Sequence, residues 1–444
     1  MPRRWTILVS TPELLSELLA IAEDVALPID AEVHERPEVA AADRDGTSWL
    51  AVLRGPGGDE AAYLGLRRLA EGTATPLPIG LVGAPGLELD FVRELGLAAV
   101  GDVGPFVAVL ALLAAGGLEA ASASTRALSS LDRLRLPSGG AERGGGKLRR
   151  GDGGLLTFEG PDGRRTALGR PADVAAALRG LRETHLGVRS SMPRVEGVDR
   201  QAVVDVILGP RRALSDPASK AALDPYDLPL PLEELCQSPS RAASEGARIG
   251  FPVRIALASP ELRPSEHPDL VADGVDSASR ARDVYRQLVT LAENRAPHAR
   301  VLGVTVSATT TARALLRVDV RNLDEQLVEA RIAFADPHGR ESEDATLVVV
   351  PASAEAIERA LARLAGAGLL LEGTPGERRA VVTAIGDVLL RLAAFVHDFR
   401  REVEGVSLDP LAVLVGGGVE VREACVRVSD AFAQSLSDPD AHAS

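Results

Sequence analysis

The sequence predicts an α/β protein with two regions, a small parallel-sheet domain at the N-terminal end and a larger region after it. Three observations lead to this class. A chain of 444 residues is long enough for two or three domains. Short apolar runs alternate with helical patterns over residues 1–118, which is typical of βαβ units in a parallel sheet. A glycine-rich polar stretch over 119–155 then separates this region from the rest of the chain.

Each element of the first region has a separate signal. Apolar runs bounded by turn residues predict strands over residues 5–9, 29–33, 49–53, 78–82 and 98–100. Helical spacing of apolar residues predicts helices over 12–25 and 106–115. Thr11 is suited to cap the first of these helices, because its hydroxyl can accept a backbone N–H and Pro12 can follow in the first turn.

The order of these elements resembles a flavodoxin-like domain, and in particular a response-regulator receiver domain. That resemblance implies a phospho-acceptor aspartate at the end of the third strand, where this sequence has Arg54. It also implies an acidic pair after the first strand, where Ser10 and Thr11 stand. Because a Mg²⁺ site needs carboxylate oxygens, phosphorylation by the receiver mechanism is not expected. Residues 76–113 equally resemble the small flavodoxin-like lobes of acyl-CoA synthetases, so two origins stay open.

The middle of the chain predicts little regular structure. Residues 119–155 predict a flexible linker, since such a sequence buries too little surface to offset the entropy of ordering it. Gly144 to Lys147 does not match a phosphate-binding loop, because Leu148 follows the lysine. Residues 156–190 predict a small insertion, a hairpin with its turn at 161–163 followed by a helix over 171–182. Residues 431–444 predict a disordered tail.

Composition excludes several classes of function. A net charge of −14 argues against nucleic-acid binding, although 47 arginines accompany the two lysines, Lys147 and Lys220. The longest apolar stretch, 106–118, is too short to span a bilayer, and the N-terminus lacks a signal-peptide cleavage site. Cys236 and Cys425 without a CxxC spacing fit a reducing compartment, which predicts a cytoplasmic protein. Seven histidines spread singly predict no metal site.

Four segments of the second region carry a resemblance. They are IGFPV at 249–253 with Ser259 and Pro260 after it, ARVLGVTVSAT at 299–309, AGAGLLLEG at 365–373, and GVSLDPLAVL at 405–414. In this order they resemble the ATP-grasp domain of ADP-forming acyl-CoA synthetases, the acetate–CoA ligase family. The resemblance covers residues 191–430 and implies two lobes that hold ATP between them. A helix over 376–404 has an apolar stripe that predicts a core helix, with a dimer face as the alternative.

Most polar positions that the resemblance implies are replaced in this sequence. The phosphate-contacting lysine of the first lobe corresponds to Ala256, while Arg254 lies on the same face of that strand. The other replaced positions are the His-Lys pair at Pro264 and Ser265, the paired glycines at Asp269 and Leu270, the hinge at Ser307, Ala308 and Thr309, and the ribose-binding glutamate at Ala314. On the metal-binding strand, the implied Glu, Asp and Asn correspond to Gly405, Ser407 and Asp409.

Three residues remain as candidates for ligand binding. Arg254 and Ser259 are candidates for contact with a nucleotide, and Asp409 is the candidate metal ligand. Each has a structural alternative: an ion-paired arginine, a strand-ending turn, and a turn or cap residue.

The preferred hypothesis is a non-catalytic relative of the acyl-CoA synthetases that acts as a binding or regulatory subunit beside an intact CoA-ligase subunit. ATP and Mg²⁺ are expected as cofactors only if the nucleotide site survives. Alternatives are a divergent ATP-dependent acyl-CoA ligase that still binds Mg·ATP, and a signalling adaptor that uses a phosphorylation-incompetent receiver-like domain. The expected partner is a protein, with neither nucleic acid nor membrane. The fold class is therefore a flavodoxin-like parallel-sheet domain plus a two-lobed ATP-grasp-like α+β domain.

Overall fold

In the computed structural model the chain divides into two compact units, Met1–Val188 and Arg189–Ser444. The structure describes residues 4–42, 49–58, 60–71, 77–116, 147–150, 154–159, 165–185, 192, 195, 197–207, 213–323, 327–335 and 344–432. The prediction of an α/β protein with a parallel-sheet region and a mixed α+β region is confirmed.

The first unit is built on a five-stranded parallel sheet in the order β2-β1-β3-β4-β5. This is the strand order of flavodoxin-like folds. Its strands are β1 (Trp5–Val9), β2 (Ile29–Val33), β3 (Leu50–Arg54), β4 (Pro78–Leu81) and β5 (Ala98–Val100). Its helices are α1 (Pro12–Asp24), α2 (Pro37–Ala42), α3 (Glu60–Glu71), α4 (Gly86–Glu94) and α5 (Val103–Gly116). The predicted strands and helices are present within a few residues of their expected ends.

Local signals explain where these elements begin. Thr11 caps α1 as predicted, since its hydroxyl accepts the N–H of Leu14 at 3.3 Å. Strands β3, β4 and β5 are buried along their whole length, because helices cover both faces of a parallel sheet. Helix α5 is apolar on all sides, which is typical of a helix that has no solvent-facing side.

Residues 147–185 provide the cover for α5. Strands β6 (Lys147–Arg150), β7 (Leu156–Glu159) and β8 (Arg165–Gly169) form an antiparallel sheet, and α6 (Pro171–His185) follows it. The predicted hairpin therefore has a third strand, and Lys147–Arg150, expected to belong to the linker, is paired with β7. The turn at 161–163 and residues 119–146 of the linker lie outside the described residues. Phe158, Leu168, Val174 and Leu178 join Phe106 in one apolar core.

The second unit contains two antiparallel sheets. The smaller has the order β11-β10-β12-β9, and the larger has the order β15-β14-β13-β16-β17 with β18 also paired to β16. The strands are β9 (Glu233–Cys236), β10 (Val253–Ala258), β11 (Val271–Val275), β12 (Gly303–Ala308), β13 (Ala312–Asn322), β14 (Val328–Phe334), β15 (Ala345–Val350), β16 (Val403–Leu414), β17 (Val419–Val421) and β18 (Ala424–Val428).

Helices cover each of these sheets. They are α7 (Arg200–Ile207), α8 (Asp216–Leu223), α9 (Pro239–Ile249), α10 (Ala278–Arg295), α11 (Ala354–Arg363), α12 (Ala367–Leu371) and α13 (Pro375–Asp398). Helices α9 and α10 pack on the small sheet, and α13 packs on the large one. Each sheet has its own apolar core.

Two boundaries in the second unit differ from the sequence prediction. The segment IGFPV is not a strand throughout: α9 ends at Ile249, Gly250 has φ +100°, and β10 begins only at Val253. Glycine is favoured at this position because it adopts positive φ without strain. The long helix ends at Asp398 rather than at residue 404, because Val403 already pairs with β18.

Helix α13 is long and apolar enough, by length and composition, to cross a membrane, with a mean hydropathy of 1.7 over its most apolar window. It is the one helix of the described residues that meets this test. Its predicted apolar stripe, from Val381 through Ile385 and Leu389 to Phe395, is buried in the core of the large sheet. Burial against that sheet therefore accounts for its composition.

We expect a fragment of residues 1–188 to be monodisperse and to unfold cooperatively, whereas a fragment of residues 1–116 will aggregate. Without α6 and β6–β8, the shorter fragment exposes one side of α5 and the β5 edge of the sheet, against which α6 packs. Size-exclusion chromatography and thermal melts compare the two. A monodisperse 1–116 fragment with a cooperative melt would contradict this role of residues 147–185.

Candidate functional site

The candidate site lies where the loop after β10 meets the turn between β17 and β18. Glu423, in that turn, is 4% exposed. Its carboxylate accepts the backbone N–H of Ser265 at 2.8 Å and the hydroxyl of Ser265 at 2.9 Å. These bonds join the loop between β10 and β11 of the small sheet to the large sheet. The second unit thus brings polar groups from both sheets together at one place.

Arg254 and Ser259, the two candidates for nucleotide contact, both have intramolecular partners. Arg254 lies on β10 and forms an ion pair with Asp273 of β11, with Nε 3.4 Å from the carboxylate. The hydroxyl of Ser259 accepts the N–H groups of Glu261 and Leu262, each at 3.2 Å. These contacts are those of an ion-paired arginine and a strand-ending turn.

Asp409, the candidate metal ligand, ends a chain of polar contacts across one face of the large sheet. Arg317 bridges the carboxylates of Asp409 and Asp319. Its Nη1 lies 3.7 Å from Asp409 and its Nε lies 2.8 Å from Asp319. Ser407 donates its hydroxyl to Asp319 at 2.5 Å and accepts from Arg427 at 2.5 Å. Two guanidinium groups therefore supply the positive charge beside these carboxylates.

Gly405 makes room for one of these arginines. A Cβ atom at this position would lie 2.6 Å from the backbone oxygen of Val320 and 2.9 Å from Nη2 of Arg427. Any larger side chain would have to displace Arg427 or the neighbouring strand. The resemblance implies a glutamate at this position. The glycine found here instead leaves the space that Arg427 occupies.

A buried ion cluster stands next to Glu423. Lys220 of α8 is 5% exposed, and its Nζ contacts Asp216 at 2.9 Å, Glu233 of β9 at 2.8 Å and the backbone oxygen of Arg422 at 3.0 Å. The second oxygen of Asp216 accepts the N–H of Ala424 at 2.8 Å. One lysine therefore links a helix, the small sheet and the β17–β18 turn.

Burial dominates the ionisation of these groups. It raises the pKa of Glu423 to about 8, and the charge of Asp216 adds to the shift. Burial and then the charge of Asp216 raise the pKa of Glu233 to about 7. Burial likewise raises the pKa of Asp409 to about 6 despite Arg317. Burial alone would lower the pKa of Lys220, but the charges of Asp216 and Glu233 outweigh it and raise that pKa.

Mg²⁺ is the metal that the resemblance implies for this face. Mg²⁺ prefers carboxylate and other oxygen ligands in a near-octahedral set. The oxygen atoms near Asp409 that could bind a metal already contact the guanidinium groups of Arg317 and Arg427. Among the residues that the structure describes, no group of three or more His, Cys, Asp or Glu side chains could hold a metal ion. The residues of this face therefore do not fit a resident Mg²⁺ site.

The sequence prediction missed Glu423, Lys220, Arg317 and Arg427. Two signals were available: Lys220 is the only lysine of this region, and Glu423 interrupts an apolar strand pattern in VEVREACVRV. A charged residue within an apolar pattern is buried only when it is paired. The pairing itself joins residues that are about 160 to 200 positions apart, as in Ser265 with Glu423 and Lys220 with Arg422, so sequence spacing does not reveal it.

The first unit also carries an internal ion pair at the expected functional edge of its sheet. Arg54 ends β3, and its Nη1 lies 2.5 Å from Glu38 of α2, which is 1% exposed. Its other nitrogens donate to the backbone oxygens of Gly55 and Pro56. Ligands of such sheets bind at the carboxyl ends of the strands, beside the strand at which the order reverses. Here an arginine and its carboxylate partner fill the position of the implied phospho-acceptor.

Comparison with known proteins defines the class of the second unit. The family model of the ATP-grasp domain matches residues 205–428. The chain therefore belongs to the ATP-grasp family.

Within that family, the chain is homologous to ADP-forming acetate–CoA ligase beta subunits. It is 23% identical over 220 residues to the "Acetate--CoA ligase [ADP-forming] II subunit beta" of Pyrococcus furiosus, which covers 49% of this chain and 92% of the relative. It is 21% identical over 207 residues to the "4-hydroxybutyrate--CoA ligase [ADP-forming]" of Nitrosopumilus maritimus, which covers 47% of this chain and 29% of that relative. The predicted relationship to ADP-forming acyl-CoA synthetases is confirmed.

One of the solved structures that match covers about half of the chain. It is the acetyl-coenzyme A synthetase 1 of Ca. Korarchaeum cryptofilum, described as dinucleotide forming and solved with coenzyme A, Ca-AMPCP and HgCl+. The match has 21% identity, covers 52% of this chain and 100% of that chain, and has a TM-score of 0.46.

We expect Lys220→Met to destabilise the second unit by about 3–5 kcal/mol, because it leaves Asp216 and Glu233 buried without their cation. The matched control is Arg286→Met, which removes an exposed pair with Asp283 and is expected to cost at most about 1 kcal/mol. Urea unfolding followed by far-UV circular dichroism measures the change.

The first unit provides an internal reference for this experiment. Its two tryptophans, Trp5 and Trp49, both lie in the first unit, with ring centroids 4.7 Å apart. Tryptophan fluorescence should therefore keep its transition in Lys220→Met while the circular dichroism transition shifts. A shift as small as that of Arg286→Met would show that the buried cluster contributes little.

We expect the stability of the wild type relative to Glu423→Gln to fall as the pH rises from about 5 to about 9. The folded protein holds the proton of Glu423 more tightly than the unfolded chain, whose pKa is near 4.5, so this contribution is complete below that value and is lost as the pH rises through about 8. The upper limit is about 1.4 kcal/mol per unit of pKa difference. Urea unfolding at several pH values measures it, and parallel pH profiles for the two proteins would contradict the pKa shift.

Proposed function

We propose that this chain is a non-catalytic relative of the ADP-forming acyl-CoA synthetases and acts as a binding or regulatory subunit. One observation carries the proposal: the polar side chains of the candidate site bind one another. Arg254 pairs with Asp273, Asp409 pairs with Arg317, and the carboxylate of Glu423 is held by Ser265.

Charge supports the same proposal. Catalysis of phosphoryl transfer depends on cations that stabilise the charge developing on the transferred group. The single lysine of this region, Lys220, is buried with two carboxylates, and Arg254 and Arg317 are each paired with a carboxylate. Releasing Lys220 from its two buried carboxylates would leave uncompensated charge, at a cost of about 3–5 kcal/mol. A nucleotide that drew on Lys220 would have to offset that cost before it gained any contact.

The proposed role as a subunit rests on the relatives. The matching Pyrococcus furiosus protein is named as a beta subunit, and the alignment covers 92% of it. A homologue of such a subunit that has exchanged ligand contacts for internal ion pairs keeps the folded surface with which a partner can associate. We therefore propose an intact CoA-ligase subunit as the partner.

A divergent ligase that binds Mg·ATP is the second candidate, and one observation favours it. The N–H of Asp409 donates to the backbone oxygen of Glu423 at 3.1 Å, so two residues with carboxyl side chains are neighbours in the large sheet. If Arg317 and Ser265 released them, these two carboxylates could hold a cation together. The pKa of each is raised by burial, which is the response of carboxylates that lack sufficient positive charge.

Isothermal titration with ATP, with and without Mg²⁺, separates the two candidates. We expect no saturable heat, and hence a dissociation constant weaker than about 1 mM, for the wild type. The double variant Arg254→Ala/Asp409→Ala is expected to give the same trace, and Arg286→Ala serves as the control for loss of an exposed arginine.

Nucleotide binding by the wild type would be the opposite result. Micromolar, Mg²⁺-dependent binding that is lost in Arg254→Ala/Asp409→Ala and kept in Arg286→Ala would reject the non-catalytic proposal. It would instead assign nucleotide binding to these residues, and acyl-CoA formation would be the next assay.

A further inference from the structure

A short segment of the large sheet, residues 420–423, contacts the chain at the place where it passes from the small sheet to the large one. We call these residues the clamp segment. Residues 309–311 form the connection between β12 and β13. Arg422 donates from Nη2 to the backbone oxygen of Thr310 at 2.7 Å, and Glu420 accepts the hydroxyl of Thr310 at 2.6 Å. Both sides of the middle residue of the connection are therefore bonded to the clamp segment.

The clamp segment also reaches two further parts of the small sheet. The backbone oxygen of Arg422 accepts Nζ of Lys220 at 3.0 Å, and the same Nζ contacts Glu233 of β9 at 2.8 Å. The carboxylate of Glu423 accepts the N–H and the hydroxyl of Ser265, in the loop after β10. Directly or through one lysine, the segment is thus bonded to β9, to the loop after β10 and to the connection after β12.

The clamp segment is itself fixed to the large sheet. Its first two residues belong to β17, where Val421 pairs with Leu411 of β16. The N–H of Arg422 donates to the backbone oxygen of Pro410, also in β16, at 3.0 Å. Any movement of the small sheet relative to the large one therefore strains or breaks the contacts of this segment.

The apolar residues of the two sheets form separate cores. Cys236, Ile255 and Val306 belong to the core of the small sheet. Leu316 and Leu411 belong to the core of the large sheet. Proteins open locally in contiguous cooperative units, and a sheet with its own core and helices has the makings of one. Coupling between the two sheets therefore has to come from the polar contacts that join them.

We propose that the clamp segment couples the two sheets, so that they open as one cooperative body and do not move against each other about residues 309–311. A ligand that required the sheets to separate would have to break the contacts of Thr310, Lys220 and Ser265 together. The inference goes beyond the proposed function, because it concerns the coupling of the sheets whether or not a nucleotide binds.

The two cysteines of the chain report on the two sheets separately. Cys236 lies in the core of the small sheet and is 0% exposed, and Cys425 lies on β18 of the large sheet and is 3% exposed. A buried thiol reacts with N-ethylmaleimide only when its surroundings open. When labelling is slower than closing, its rate measures the population of the open form. Mass spectrometry of the two cysteine peptides from the full chain gives both rates in one experiment.

In the wild type we expect the two labelling rates, each divided by the rate of the same thiol in the unfolded chain, to agree at every urea concentration below the unfolding transition. Both thiols then become exposed in one opening. In Arg422→Met, Cys236 should be labelled at least about tenfold faster than Cys425, because the charged donor that holds Thr310 to the large sheet is lost.

Arg391→Met is the matched control. Arg391 donates from Nη1 to the backbone oxygen of Tyr226 at 3.0 Å and to Asp227 at 2.8 Å, and Tyr226 belongs to the core of the large sheet. Loss of these contacts should leave the two labelling rates equal to each other. Thr310→Val removes only the hydroxyl that donates to Glu420, so it should separate the rates less than Arg422→Met does. It takes the place of Arg422→Met if that variant does not fold.

Three results would overturn the proposal. They are a difference between the two rates in the wild type, equal rates in the clamp variant, and a separation of the rates that Arg391→Met shares. The titration with ATP fails separately: binding of Mg·ATP by the wild type would reject the non-catalytic function and would leave the labelling rates measured without nucleotide as they are found.

Discussion

The contacts of Lys220 are the constraint on which the second unit depends. One ammonium group, buried with two carboxylates and a backbone oxygen, joins α8, the small sheet and the β17–β18 turn. Charges at this depth are tolerated only in compensated sets. The same turn positions Glu423, which reaches across to the loop after β10. The small sheet and the β17–β18 turn are thus joined by the ion pairs of Lys220 and by the hydrogen bonds between Ser265 and Glu423.

The internal pairs of both units follow one physical pattern. In the second unit, Arg317 and Arg427 supply positive charge to the polar face of β16. In the first unit, Arg54 and Glu38 neutralise each other at the end of β3. At positions where the resemblances imply an external ligand, the structure has ion pairs within the chain. Arginine suits this use because its guanidinium stays protonated and its planar group bridges two acceptors.

The sequence predicted the strands and helices of the fold far better than the contacts of the candidate site. Alternation of apolar runs located β1 to β5, and the order of short motifs located β12 and β16, because these signals are local and periodic. The end of α13 and the start of β10 were misjudged, since strand pairing at Val403 and a positive φ at Gly250 override local helix or strand preference. Arg317, Arg427 and Glu423 were missed because their partners are distant in sequence and meet only in the folded sheets.

The elements that cover α5 are synthesised after it, which affects folding during translation. Helix α5 ends at residue 116, whereas the buried residues of α6 that pack near it extend to Leu181. At 5–20 residues per second, the ribosome needs about 3 to 13 s to add these roughly 65 residues. During that interval an entirely apolar helix has no partner on its outer side. We therefore expect the newborn chain to be prone to aggregation at this stage, and its yield to depend on the speed of translation between the two helices.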